Sequence, residues 1–332
     1  MGVNIQFSKL DHNHMRKKKS SPIKKVIILI LILFISFNAL GLYFGNEIYN
    51  KLFIIEKSKD NNPYETAKTT FNDSRFSTLQ REDINISSKF DYKLRGTYIK
   101  NSKATKNTVI FLHGIGQNRW DSMKYADLYL DRGFNVFIYD SRACGTSGGK
   151  NISYGYYEQY DLDTIVTWLQ KKNKDGVIGV HGVSLGASTA IMHSQIDSDK
   201  NRVKFYVADS PFSDLNTLIG MKLKEDYKID NSIVEKLALF YSNKVTSLRS
   251  GFTFDKVSPI SSVKSSKAPI LFIHGKDDLI IPSYMSETLY NAKKGEKVIY
   301  ISSNSGHAST LKYNKNDYKQ KLNEFLDSVM SK

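Results

Sequence analysis

Residues Val177 to Met192, VIGVHGVSLGASTAIM, constrain this chain more than any other stretch. An apolar run from Val177 to Val180 leads into Gly182-Val183-Ser184-Leu185-Gly186, and a helix pattern of small residues follows. G-x-S-x-G between a buried strand and a helix marks a sharp strand-to-helix turn with a serine at its apex. The turn forces Ser184 into strained backbone, so positions 182 and 186 must do without side chains. The serine hydroxyl then stands clear of the sheet edge, at the positive end of the following helix.

The surrounding pattern supplies the sheet such a turn needs. Ile84 to Ser88 and Lys93 to Lys100 read as a hairpin around Phe90-Asp91. Apolar, β-branched runs at 108–112, 134–139, 203–208, 269–273 and 297–301 have the character of parallel strands buried on both faces. Helical spacing separates them at 120–130, 156–169, 283–292 and 318–329. Alternating strands and helices predict an α/β chain with a doubly wound, mostly parallel sheet. In such sheets chemistry gathers at the carboxyl ends of the strands. The polar and glycine-rich clusters at 113–116, 140–149, 182–186, 209–212 and 274–275 all fall there. Residues 213–267 exceed an ordinary connection. Within them Val234, Leu237, Ala238, Tyr241, Val245 and Leu248 recur at helical spacing, which predicts a small helical lid or a stripe packed on the main domain.

The N-terminus reads differently. Of the net charge of +15, residues 1–25 carry +6, with Arg16 to Lys19 and Lys24-Lys25 directly before an apolar run at 26–44. Nineteen residues at helical rise cover about 28 Å, close to a bilayer core. The basic cluster predicts a signal-anchor with a cytoplasmic N-terminus and the remainder extracytoplasmic. The competing readings are a signal peptide cleaved near Gly41, leaving a secreted domain, and a buried core helix. The expected organisation is a basic tail (1–25), a transmembrane helix (26–44), a juxtamembrane helix end and spacer (45–80) and a catalytic domain (81–332). The other lysines are scattered without a basic helix or aromatic platform, which argues against nucleic acid as partner. A single cysteine excludes an internal disulfide.

A serine hydroxyl attacks carbonyls only when a base removes its proton and a carboxylate orients that base. In a sheet of this kind the chain order is Ser, acid, His. His193, His274 and His307 follow Ser184. His193 lies on the helix after the turn and His274 ends a strand; His307 occupies the loop after the last strand, at the same sheet edge as Ser184. The loop after the preceding strand offers Asp277 and Asp278, and chain order alone does not choose between them.

Taken together, HGIG at 113, YDSRACGTSGG at 139, GVSLGAS at 182, DSPF at 209, HGKDDLIIP at 274 and GHAS at 306 resemble the α/β-hydrolase superfamily. The likeness is to its serine esterase and lipase-like branch, with the bacterial members that carry an N-terminal membrane helix nearest in layout. It spans residues 84–330. Where relatives usually show an aromatic residue before the arginine, this chain has Ser141. The family's H-G-x-x-D-x-x-x-P pattern implies Asp278 as the acid, with Asp277 as fallback. The resemblance further implies an oxyanion hole formed by the backbone N–H groups of Ile115 and Leu185.

Other chemistries find less support. No histidine is positioned to activate Cys144, which reads as a small packing residue. Phosphate-binding signatures and metal-ligand spacings are missing, so no cofactor and no metal are expected. The reading that results is a serine hydrolase cleaving a carboxylic ester of an acyl or lipid substrate. The alternatives are a peptidase or amidase of the same superfamily and a cell-surface binding protein on a hydrolase scaffold.

Overall fold

A computed structural model describes residues 21–55 and 77–331. The basic stretch 1–20 and most of the expected spacer lie outside the described residues. Eight strands form one sheet in the order β1-β2-β4-β3-β5-β6-β7-β8. They are β1 (Arg81–Ser87), β2 (Lys93–Ile99), β3 (Thr108–Leu112), β4 (Asn135–Asp140), β5 (Ile178–Val183), β6 (Val203–Asp209), β7 (Ile270–Gly275) and β8 (Lys297–Ser302). β1 and β2 make the antiparallel hairpin and β2 joins β4 antiparallel; every other pairing is parallel. Strands β3, β4, β5 and β7 are buried at every position and β6 at all but Lys204, as expected of strands covered on both faces.

Helices cover the two faces. On one side α2 (Ala126–Leu130) and α10 (Lys315–Met330) pack Leu128, Tyr129, Leu322 and Phe325 onto Phe111, Val207 and Ile273. On the other, α3 (Glu158–Lys172), α4 (Leu185–Ile196), α7 (Pro259–Val263) and α8 (Tyr284–Ala292) cover Ile110, Phe137, Val180 and Phe272. A short α9 (Thr310–Tyr313) follows β8. This is the doubly wound α/β arrangement.

Several boundaries differ from the sequence pattern; β1 and α10, for example, each begin three residues early. The helix expected at 120–130 is a 3-10 turn (Arg119–Tyr125) followed by the short α2. A capping box between Asn118 and Asp121 tightens its start. Helix α3 begins at Glu158 rather than Tyr156, because the Glu158 carboxylate accepts the N–H groups of Ser153 and Gly155 at 2.8 and 2.9 Å and holds the preceding residues as a loop.

The largest difference is at the N-terminus. Helix α1 runs unbroken from Pro22 to Phe53, with Ser21 as its cap, and is long and apolar enough to cross a membrane. Its last two turns are not a spacer: Ile48, Tyr49 and Phe53 are buried in the domain. The Phe53 ring stacks on Tyr49 at 5.0 Å and lies 5.1 Å from Tyr154, and Ile152 N–H donates to the Phe53 carbonyl at 3.1 Å.

The segment 213–267 folds into α5 (Leu215–Tyr227), α6 (Ser232–Ser250), a 3-10 turn (Phe254–Lys256) and α7. Its apolar stripe is split. Tyr241 and Val245 are buried, whereas Val234, Leu237 and Leu248 are exposed. Tyr241 packs on α1 rather than on the main sheet, its ring edge-on to Phe37 at 6.4 Å. Together the end of α1, α5, α6 and the loops around 143–154 and 252–257 form a third apolar cluster, which includes Cys144 as a buried packing residue.

Candidate active site

The turn after β5 has the geometry its glycines require. Ser184 sits at φ 56°, ψ −116°, a region side-chain-bearing residues rarely enter. A Cβ on Gly182 would lie 2.2 Å from the Gly186 carbonyl oxygen, and one on Gly186 would lie 2.3 Å from that of Leu112. Ser184 N–H donates to the Asp209 carbonyl at 2.8 Å, which ties the turn to the end of β6.

His307 follows β8 and Asp278 follows β7, and the two loops converge on Ser184. His307 Nε2 is 2.9 Å from Ser184 Oγ, and His307 Nδ1 is 2.7 Å from Asp278 Oδ2. Asp277, the alternative acid, is exposed and its side chain is not part of this chain of bonds. Because Nδ1 faces a carboxylate it carries the imidazole proton, which leaves Nε2 free to accept from the serine hydroxyl. The backbone at this corner is also fixed: Ala308 N–H donates to Ser210 Oγ at 3.1 Å.

Asp278 is buried yet thoroughly hydrogen-bonded. Burial alone would raise its pKa, but His274, His307 and the Ile281 N–H hold it well below the usual carboxylate range. Its Oδ1 accepts from Ile280 and Ile281 N–H, both at 2.9 Å, and its Oδ2 is shared by His307 and His274 Nε2, the latter at 3.0 Å. His274 Nε2 also lies 2.7 Å from the Ile281 carbonyl, so two acceptors fix the proton on that nitrogen, while Nδ1 at 2.7 Å accepts from Ser286 Oγ. Chain order shows His274 only at a strand end; in the fold it is the second donor to the acid.

His113 does comparable work on the opposite loop. Burial pushes its pKa down. Its Nε2 accepts from Ser141 N–H at 3.0 Å, so Nδ1 carries the proton and donates to the Gly114 carbonyl at 2.8 Å. Gly114 N–H is engaged by Gln117 Oε1 at 3.0 Å. The His-Gly pairs ending β3 and β7 were the visible signal for both buried histidines.

A cavity of about 370 Å³ opens over Ser184. Ile115 and Leu185, whose N–H groups the resemblance implies as oxyanion donors, both line it, as do Tyr154, Phe212 and Leu218. Leu185 is the first residue of α4, so its N–H has no intrahelical acceptor. The end of α1 contributes Lys51 and Leu52 to the wall. Lys51 Nζ pairs with Asp226 Oδ2 at 3.2 Å, and Tyr154 Oη donates to the Leu52 carbonyl at 3.1 Å. In the sequence those two residues belong to the juxtamembrane stretch, because nothing local marks a helix end as a pocket wall. Among the described residues no cluster of His, Cys, Asp and Glu is disposed to hold a metal.

A strained serine turn backed by histidine and a buried carboxylate, on a sheet of this topology, defines an α/β hydrolase. Residues 107–238 match the family model for the alpha/beta hydrolase fold. The uncharacterized protein YqkD of Bacillus subtilis is 34% identical over 92% of this chain and 98% of its own length. Rat lysophosphatidylserine lipase ABHD12 is 22% identical over 55% of this chain and 44% of its own. Among solved structures, an esterase of Pyrococcus furiosus, Pf2001, superposes with a TM-score of 0.61 at 27% identity over 76% of this chain and 94% of its own. The chain belongs to the α/β-hydrolase superfamily.

Proposed function

We propose that this protein is a serine hydrolase, anchored in the membrane by α1, that cleaves carboxylic esters of acyl substrates. The observation that carries the reading is the pair of hydrogen bonds linking Ser184, His307 and Asp278 at 2.9 and 2.7 Å. His307, held by Asp278, takes the Ser184 proton as the hydroxyl attacks the acyl carbonyl. The N–H groups of Ile115 and Leu185 stabilise the tetrahedral oxyanion, each worth roughly 3 kcal/mol by analogy with other such donors. His307 then protonates the leaving alkoxide, and a water it activates releases the acid from the Ser184 acyl-enzyme.

The predominantly apolar wall suits an acyl chain. Asp226, the carboxylate on that wall, is engaged by Lys51 and is poorly placed to hold the free amino group of a peptide. The esterase Pf2001 and the lipase ABHD12 fit the same direction. Positive residues before α1 orient the N-terminus to the cytoplasm and the domain outward.

The test uses the full-length chain in detergent or nanodiscs. Hydrolysis of p-nitrophenyl esters from acetyl to palmitoyl is compared with that of aminoacyl anilides, for wild type and Ser184→Ala. Ester cleavage that is lost in Ser184→Ala is the expected result. Anilide cleavage that depends on Ser184 would replace the esterase reading with a peptidase one. Retained cleavage in the variant, or failure of a fluorophosphonate to label wild type, would remove the serine mechanism.

A further inference from the structure

We propose that the first half of α6 is a membrane-docking face, seated in the leaflet from which α1 emerges on the domain side, so that the catalytic pocket is held at the bilayer surface. The inference rests on α1 spanning a bilayer, as proposed above, and adds what the lid does there.

The two helices are paired in step. Tyr241 of α6 meets Asn38 and Gly41 of α1, and Ser250 meets Tyr49, whose hydroxyl is 2.6 Å from Ser250 Oγ. Between these ends, Arg249 reaches Asn46 and Asn50 at 2.6 Å each. Contacts that advance together along both chains mean that α1 and α6 run in the same direction. Small residues make the approach possible: a Cβ on Gly45 would lie 2.7 Å from the Tyr241 backbone, and one on Gly41 would enter the Tyr241 ring.

The part of α6 before Tyr241 therefore continues toward the apolar half of α1. It carries Ile233, Val234, Leu237 and Phe240, exposed by 68, 49, 37 and 51%. On α1, Val26 to Ile35 are exposed throughout. Eighteen residues from Ile23 to Leu40 rise about 27 Å, near the low end for a hydrocarbon core, with Lys24 and Lys25 able to extend to the near surface. Asn38, Gly41 and the α6 residues against them then fall at the far headgroup level. The chemistry at that level suits an interface. Asn38 is satisfied within the pair, donating to the Phe34 carbonyl at 2.8 Å and accepting from Tyr241 Oη at 3.1 Å. Tyr43 and Phe44 add exposed aromatic rings. Lys236 and Lys244 are on the same helix, Lys244 Nζ over the Phe240 ring at 5.6 Å, and Glu235 is paired with Lys224, which leaves cations to meet an anionic leaflet.

The pocket adjoins this face. Its walls include Lys51 and Leu52 of α1 and Leu218, Lys222 and Asp226 of α5, and α5 is tied to α6 by the Lys224–Glu235 pair at 3.1 Å. An acyl amphiphile in that leaflet could enter the pocket without leaving the membrane surface.

The single native cysteine is buried and serves as a silent background for thiol labelling. Leu237→Cys, Phe240→Cys and Leu248→Cys are each labelled with an environment-sensitive fluorophore in the full-length chain. The proteins are then reconstituted in phosphatidylcholine vesicles with an anionic phosphatidylglycerol fraction. Phe34→Cys reports the span itself. Positions 34, 237 and 240 should be quenched by doxyl-labelled lipid and shielded from iodide. Position 248, on the same helix but past the α1 crossing, should show the reverse. Iodide quenching at 237 and 240 equal to that at 248 overturns the docking face, and water exposure at 34 overturns the span on which it rests. Fluorophosphonate labelling of Ser184 in the same samples reports the proposed chemistry separately, since neither quenching result depends on it.

Discussion

Replacing Asp278 by Asn removes one charge and almost no volume, and the surrounding bonds dictate how the amide must sit. The position of Oδ1 receives two backbone N–H groups, from Ile280 and Ile281 at 2.9 Å each. Putting the Asn NH2 there would set three donors against one another and forfeit two hydrogen bonds, each worth about 1 kcal/mol net and more when left buried and unmade. The carbonyl therefore keeps that place and the NH2 turns to the two histidines. His274 Nε2 cannot give up its proton, because the Ile281 carbonyl also lies 2.7 Å away. His307 yields instead: its Nδ1 becomes an acceptor and its proton moves to Nε2, which then donates toward Ser184. The base is lost although every side chain stays in place. The same exchange in a serine protease triad lowers turnover about 10⁴-fold, which corresponds to roughly 5 kcal/mol of transition-state stabilisation. The assay is kcat/KM on a p-nitrophenyl ester, beside denaturant unfolding to show that the variant is folded. Nitrogen-15 shifts of His307 should move the proton from Nδ1 to Nε2. A folded variant that loses less than tenfold, or one whose His307 keeps its proton on Nδ1, refutes the reasoning.

Ser184→Gly relieves the positive φ at the turn, a strain of about 1–3 kcal/mol that outweighs the entropic cost of glycine. This variant should unfold at higher denaturant than wild type, and an unfolding free energy equal to or below that of wild type would refute the strain. Phe53→Ala leaves a hole between Tyr49, Tyr154 and Phe254 and should cost about 3–5 kcal/mol in denaturant unfolding. An effect below about 1 kcal/mol would mean that the end of α1 is dispensable to the domain. Asp161 supplies a pH test. Burial pushes its carboxyl up to about 7 despite hydrogen bonds from Ser88 and Tyr92, both at 2.5 Å. In the unfolded chain it ionises near pH 4, so between about pH 4 and 7 the folded state binds the extra proton and stability falls as pH rises. Asp161→Asn should flatten the loss measured between pH 5 and pH 8; an unchanged slope would show that Asp161 ionises freely in the fold.

The sequence by itself determined the parts of this protein whose cause is local. Strands buried on both faces must be apolar runs, so β3 to β7 were legible from composition alone. The turn at Ser184 needs glycine at 182 and 186, where no Cβ fits, and that requirement is written in five residues. The chain order of Ser184, Asp278 and His307 followed from where the strands end. The choice of Asp278 over Asp277 needed the family pattern, because the two are adjacent and equally acidic. Tertiary structure decided everything that depends on distant partners. An apolar helix before a polar stretch reads as an anchor and a spacer. Only packing shows that residues through Phe53 belong to the domain and that Lys51 and Leu52 form a pocket wall. The stripe on α6 was visible at helical spacing, but its Tyr241 finds its partner on α1, about 200 residues earlier in the chain. His274 and His113 looked like strand ends, and their hydrogen bonds across loops give them their work. Periodicity records which face of an element is covered, and only the folded chain records what covers it.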